Sequence, residues 1–126
     1  MKFTLLATLL ISFGTQAAVV NSAKLDANQE NILVNVSYGG GCRKHNFTLD
    51  LNPSCLETYP VQCSAALVEV IEGVFDPCEA YITTAAVFNL KKLKLNDSYY
   101  SGASLTITGD IGARGEPTTA TVILPR

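Results

Sequence analysis

Apolar and polar residues alternate in short phrases from Ile32 onward, and no window sustains a helical period. Ile32, Val34 and Val36 alternate with Leu33, Asn35 and Ser37, which predicts a strand. Gly39-Gly40-Gly41 then breaks the run, because three glycines disfavour both regular structures. Phe47, Leu49 and Leu51 alternate with Asn46, Thr48 and Asp50, a second strand with one dry face that Asn52-Pro53 ends. Ala65 to Ile71 reads as a third, with Leu67 and Val68 inside and Glu69 in water. Gly73 and Asp76-Pro77 close it. Tyr81 to Leu90 is rich in β-branched and aromatic residues, Leu105 and Ile107 alternate with threonines, and Thr119 to Leu124 makes a final strand. Short strands at a spacing of about 8–12 residues predict an all-β fold, a small antiparallel β-sandwich or partly open barrel.

The first 17 residues have a different pattern. Lys2 gives a positive start, an apolar run extends from Leu5 to Phe13, and Thr15, Ala17 and Ala18 close the segment with small side chains. This is the layout of a cleaved secretory signal, with cleavage expected after Ala17 or, alternatively, Ala18. The run is well short of the roughly 20 residues needed to span a bilayer, so no membrane span is expected. The organisation that follows is an export signal over residues 1–17, a loose, weakly patterned leader over 18–31, and a single β domain over 32–126. The expected location is secreted or periplasmic.

An oxidising destination changes how the four cysteines are read, as disulfide partners before metal ligands. Four cysteines allow three pairings, and hairpin geometry ranks them. If strand 45–51 pairs antiparallel with strand 64–71, Cys55 and Cys63 meet at the closed end, while Cys42 and Cys78 flank the open end. Bridging needs Cα atoms about 4.4–6.8 Å apart, which this register permits for Cys42–Cys78 and Cys55–Cys63. The crossed pairings join opposite ends of the hairpin.

Charge narrows the partner class. Without the signal the chain carries eight basic and eleven acidic side chains, and nucleic-acid binders carry a basic excess, so none is expected as a partner. Lys91, Lys92 and Lys94, interleaved with leucines, read as the wet side of a strand or turn. Cys42-Arg43-Lys44-His45 is a Cys-x-x-His spacing, so Cys42 and His45 can supply two ligands of a metal site. The competing reading of His45, the sole histidine, is a side chain pointing inward to a backbone carbonyl. Catalysis has less behind it. There is no Gly-x-Ser-x-Gly stretch, paired cysteines leave no thiolate, and the carboxylates are scattered singly with water as their natural neighbour.

Two resemblances bear on function. Tyr38-Gly-Gly-Gly-Cys-Arg-Lys-His-Asn-Phe-Thr-Leu, Glu57-Thr-Tyr-Pro-Val-Gln, Asp76-Pro-Cys-Glu-Ala and Phe88-Asn-Leu-Lys-Lys-Leu resemble a group of exported bacterial proteins without an assigned role. That resemblance spans about residues 38–95 and supports the Cys42–Cys78 pairing. Separately, Cys55-Leu-Glu-Thr-Tyr-Pro-Val-Gln-Cys63 resembles the disulfide-closed reactive loop of Bowman–Birk serine protease inhibitors. Cys55, Pro60, Gln62 and Cys63 fall in corresponding places, and Thr58 stands where that family has a hydroxyl residue after the scissile bond. The resemblance implies that Glu57 enters a protease specificity pocket, that Thr58 braces the loop and that Pro60 is a candidate cis proline.

The expectation is therefore an exported, non-enzymatic binding or accessory module without a cofactor. Glu57, Thr58, Tyr59 and Pro60 are its partner-binding residues, and an extracytoplasmic protein such as a protease is its partner. The alternatives are a metal-binding domain built on Cys42 and His45, and a hydrolase.

Overall fold

The computed structural model describes residues 18–51, 55–71, 73 and 76–126. The predicted export signal, residues 1–17, and the Asn52-Pro53 stop lie outside the described residues. Within them the chain forms β1 (Val19–Leu25), β2 (Asn31–Gly40), β3 (His45–Asp50), β4 (Cys55–Leu56), β5 (Gln62–Ile71), β6 (Ala80–Asn89), β7 (Ser104–Ile111) and β8 (Pro117–Ile123), with a single 3₁₀ turn at Ser98–Tyr100. The protein is all-β, and the strands divide into two sheets that do not close into a barrel.

The first sheet has the order β1-β2-β6, antiparallel throughout. The second has the order β3-β5-β7-β8, with the short β4 alongside β5. One pairing departs from antiparallel: β5 and β7 run parallel, Gln62–Ala66 against Ser104–Thr108. Parallel neighbours need a long crossover, and here the chain between them passes through the other sheet as β6.

Alternation decides which side chains meet between the sheets. Ile32, Val34 and Val36 of β2 are completely buried, as are Leu105 and Ile107 of β7, and they pack with Phe88, Leu49, Leu67, Val122 and Leu124. Removing any of these large side chains would leave a cavity that close-packed sheets cannot easily fill.

Two expectations are corrected here. Residues 18–31 are not a loose leader: β1 occupies most of the stretch, with Ala18 and Val20 buried. A bulge between Val20 and Ser22 shifts the register, so Val20, Ala23 and Leu25 lie opposite Val36, Val34 and Ile32. One extra residue breaks the period of two, which erases the alternation a strand normally displays. In β5 the inward set is Ala65, Leu67 and Glu69, while Val68 is exposed. Val68 was expected inside and Glu69 in water. Strict alternation after Leu67 puts the glutamate indoors, where it finds a partner.

Candidate functional site

Both predicted disulfides are present, Cys42–Cys78 with Cα atoms 5.6 Å apart and Cys55–Cys63 with Cα atoms 4.0 Å apart. The hairpin that motivated them is present too. His45 to Asp50 pairs antiparallel with Ala66 to Ile71, and Cys55 lies directly opposite Cys63 in the β4–β5 pairing. Each bridge organises one end of β5, and each end is a candidate site.

At the Cys42–Cys78 end, four elements converge on one imidazole. His45 opens β3 with its side chain inward and wholly out of solvent, as are the side chains of Glu69 and Asp76 to within a few per cent. Its Nδ1 faces Glu69 Oε2 from β5, and its Nε2 lies 2.7 Å from Asp76 Oδ2, from the segment after β5. Tyr38 of β2 stacks on the ring with centroids 4.2 Å apart and an interplanar angle of 29°. The expected backbone carbonyl is replaced by two carboxylates.

Asp76 is held from the other side by main-chain donors. The amides of Gly41 (3.0 Å), Arg43 (3.0 Å), Cys42 (3.1 and 3.2 Å to the two oxygens) and Cys78 (3.1 Å) all donate to its carboxylate. The glycine run makes this possible. Gly40 has φ +148°, and a Cβ there would collide with the Asp76 carboxylate and with His45 Nε2. Gly39 and Gly40 were expected to break the strand; instead β2 runs on through them, opposite Tyr81 and Ala80, and the missing side chain at Gly40 leaves the space in which the charges meet.

Electrostatics follow from this packing. Burial works against a charged His45, but hydrogen bonds to Asp76 and Glu69 and the negative charge of both outweigh it, and the imidazole is pushed up. Burial also works against ionised Asp76, yet the His45 hydrogen bond and the amides of Arg43, Cys78 and Cys42 prevail and hold it well below the usual carboxylate range. Glu69 is raised, because burial exceeds the help it draws from His45. Its Oε1 is buried without a hydrogen-bond partner among the described residues. Burial and the neighbouring Glu69 and Asp76 charges raise the Tyr38 phenol.

Chemically this arrangement is a fastener. Both imidazole nitrogens are engaged by carboxylates, so His45 has no nitrogen left to take a proton from a nucleophile. Cys42, Asp76 and Cys78 each place one ligand atom within 4.8 Å of the others. The two sulfurs, however, are bonded to each other, and a metal site needs thiolates. Neither Glu69 nor Asp76 was singled out from the sequence, where both read as isolated wet carboxylates. The signal that could have found Glu69 is the period of β5. Asp76 sits two residues before a cysteine paired with Cys42, which places it near His45 once that pairing is known.

At the other end, β4, the loop and the first residues of β5 form a closed excursion from the second sheet. Val61 is buried and anchors it, whereas Leu56 is 63% exposed and Tyr59 is 100% exposed. Glu57, Thr58 and Pro60 are exposed as well, and the Tyr59–Pro60 peptide is cis. Thr58 Oγ1 donates to the Pro60 carbonyl at 2.7 Å and accepts from Gln62 Nε2 at 3.2 Å. Tyr99, in the 3₁₀ turn, is near enough for the Glu57 charge to help burial raise its phenol. A separate cleft of about 590 Å³, lined by Gln29, Asn89, Lys91, Asp97 and Arg126 among others, contains none of the candidate site residues Cys42, His45, Glu57, Thr58, Tyr59 and Pro60.

Comparison with protein-family models, with curated proteins and with solved structures gives no match for this chain. No helix among the described residues is long and apolar enough to cross a membrane.

Proposed function

We propose that this chain is an exported, non-enzymatic binding module that meets a protein partner through the disulfide-closed loop 55–63. The observation that carries the reading is Tyr59, a large aromatic side chain held completely in solvent at the tip of a covalently closed loop. An exposed tyrosine on a loop already fixed by a disulfide, by Thr58 and by Gln62 binds with little further ordering cost. Tyrosine is also among the residues that dominate binding hot spots. Exposed Leu56 belongs to the same loop, and exposed Tyr99 lies near Glu57. The export reading draws on the signal-like pattern of residues 1–17 and on two disulfides, which persist in oxidising compartments.

Glu57 gives this reading its sharpest form. If the loop enters a serine protease as the resemblance implies, Glu57 occupies the specificity pocket and the target prefers an acidic residue before the cut bond. Inhibition constants of the wild type and of Glu57→Lys against a glutamate-specific protease, subtilisin and trypsin test this. Wild type is expected to act on the first and Glu57→Lys on trypsin. If neither form inhibits any of the three at micromolar concentration, the protease reading fails.

A further inference from the structure

Of the four cysteines only Cys42 is exposed; Cys55 and Cys78 are half-buried and Cys63 is buried. Disulfides open to solvent are the ones a thiol reductant reaches first, and they are the labile, regulatory class. Cys42–Cys78 is therefore the more accessible bridge, although it sits against the charged corner. What its opening releases into that corner decides what it can do.

Sγ of Cys42, Sγ of Cys78 and a carboxylate oxygen of Asp76 lie within 4.8 Å of one another. Asp76 Oδ2 is in turn 2.7 Å from His45 Nε2. Two sulfurs, a carboxylate and an imidazole are a donor set for four-coordinate zinc. The chain delivers them as two short pairs, Cys42-x-x-His45 and Asp76-x-Cys78. Tetrahedral bonds of about 2.0–2.3 Å place ligand atoms roughly 3.3–3.8 Å apart, so these separations need to change by about 1–2 Å once the S–S bond is cut.

The surroundings are those of a metal-binding histidine. Such a histidine characteristically gives its other ring nitrogen to a carboxylate, which fixes the ring and its tautomer. Glu69 Oε2 does this at Nδ1, and Nε2 is the nitrogen turned to Asp76. Tyr38, stacked on the ring, holds its plane. Gly40 leaves open the space beside both Asp76 Oδ2 and His45 Nε2, where a Cβ would collide with each.

We propose that the Cys42–Cys78 bridge is a redox gate over a zinc site formed by Cys42, His45, Asp76 and Cys78, with Glu69 orienting the imidazole. A dithiol reductant delivers two electrons and two protons to the S–S bond, leaving two thiols here and a disulfide on the reductant. Zinc(II) then takes both sulfurs as thiolates, together with Nε2 and a carboxylate oxygen of Asp76. Binding releases the two thiol protons and the proton that Nε2 shared with Asp76. Oxidised, the corner is fastened covalently; reduced, it is fastened through the metal. Loop 55–63 takes no part in it.

Cobalt(II), which absorbs visible light in tetrahedral thiolate sites, and zinc(II) are the probes. Mature protein is titrated under nitrogen with both bridges intact, and again after reduction by a water-soluble phosphine, which leaves as the phosphine oxide. Reduced wild type is expected to bind one cobalt per chain with thiolate-to-metal absorption, and zinc should displace it. Oxidised protein should bind none, and neither should reduced Cys42→Ser/Cys78→Ser. Glu69→Gln should weaken binding by about tenfold, as expected when the partner behind a ligand is lost, and His45→Asn or Asp76→Asn by more. Reduced wild type that binds no metal, folded or unfolded, overturns the proposal. Binding that survives Cys42→Ser/Cys78→Ser does so too, because it puts the metal on Cys55 and Cys63. Binding that both His45→Asn and Asp76→Asn leave unchanged reduces the site to two thiolates and overturns it as well, and stoichiometric metal on the oxidised protein overturns the gate.

Discussion

At one end of β5, Cys63 closes a short loop onto Cys55, eight positions away in sequence; at the other, the Cys42–Cys78 bridge closes a span of 36 around Glu69, His45 and Asp76. The same bond serves different ends. Around Cys42–Cys78 the polar groups are turned inward, and an imidazole, two carboxylates and four backbone amides use each other as partners. Around Cys55–Cys63 the polar and aromatic groups are turned outward, and the bridge substitutes for packing that the loop lacks. A long closure constrains the unfolded chain more than a short one. The buried corner therefore belongs to stability, and the exposed loop is the surface we propose for a partner.

Removing the Cys42–Cys78 bridge is the largest expected perturbation. In the chain-entropy account, cross-linking over 36 residues stabilises by about 4 kcal/mol, against about 2.5 kcal/mol over 8. The first loss also frees the segment whose amides hold Asp76. Urea unfolding of Cys42→Ser/Cys78→Ser and Cys55→Ser/Cys63→Ser should rank them in that order. Equal losses, or a larger loss for the short loop, would break the contrast between the two ends.

His45→Gln comes next, at about 3 kcal/mol, because neutral glutamine can donate to one carboxylate but gives neither buried carboxylate a counter-charge. The wild type should also show a pH dependence that this variant lacks. His45 is raised above its ordinary 6.5, so its contribution is complete below that pH and is lost as pH climbs through the folded value. Asp76 is lowered from 3.8, so its contribution is complete above that pH and is lost as pH falls through the folded value. Glu69 is raised from 4.5, which subtracts stability as pH rises from there. Stability should therefore peak between 3.8 and 4.5, decline from there as Glu69 ionises in the unfolded chain, and decline further above 6.5 as the His45 contribution is lost. Melting curves of both proteins from about pH 5 to about pH 9 read the declining side of this. An alkaline decline of the same size in His45→Gln would mean that the imidazole is not its source.

Much of this architecture was legible because it is local or nested. Alternation through Phe47-Leu49-Leu51 and Ala65-Leu67 sets one hairpin, the hairpin sets its register, and the register pairs all four cysteines. The charged corner was not legible, since Asp76 is 31 positions from His45 and no periodicity links them. Glu69 was hidden by a different cause. Its charge argued for water while its place in the period of two argued for the core, and a buried imidazole decided for the core. β1 was lost to a bulge. The parallel β5–β7 pairing leaves no sequence mark at all, because its crossover runs through the opposite sheet.

The smallest expected effect is also the one that most sharpens the contrast between the ends. Tyr59→Ala removes a side chain that touches no core residue, so folding stability should change by less than about 0.5 kcal/mol. The loop should stay closed, since the Cys55–Cys63 bridge and the Thr58 hydrogen bond to the Pro60 carbonyl do not involve the phenol. Partner binding, read as inhibition of whichever of the three proteases the wild type inhibits, should nevertheless weaken by about 2 kcal/mol, the scale of a hot-spot aromatic. The informative quantity is the ratio of these two losses. In the charged corner a substitution such as His45→Gln costs stability, and it should leave inhibition unchanged wherever the protein remains folded. At the loop the ratio should invert. If Tyr59→Ala destabilises the fold as much as it weakens inhibition, Tyr59 is a packing residue, and the division between a buried fastener and an exposed contact surface does not hold.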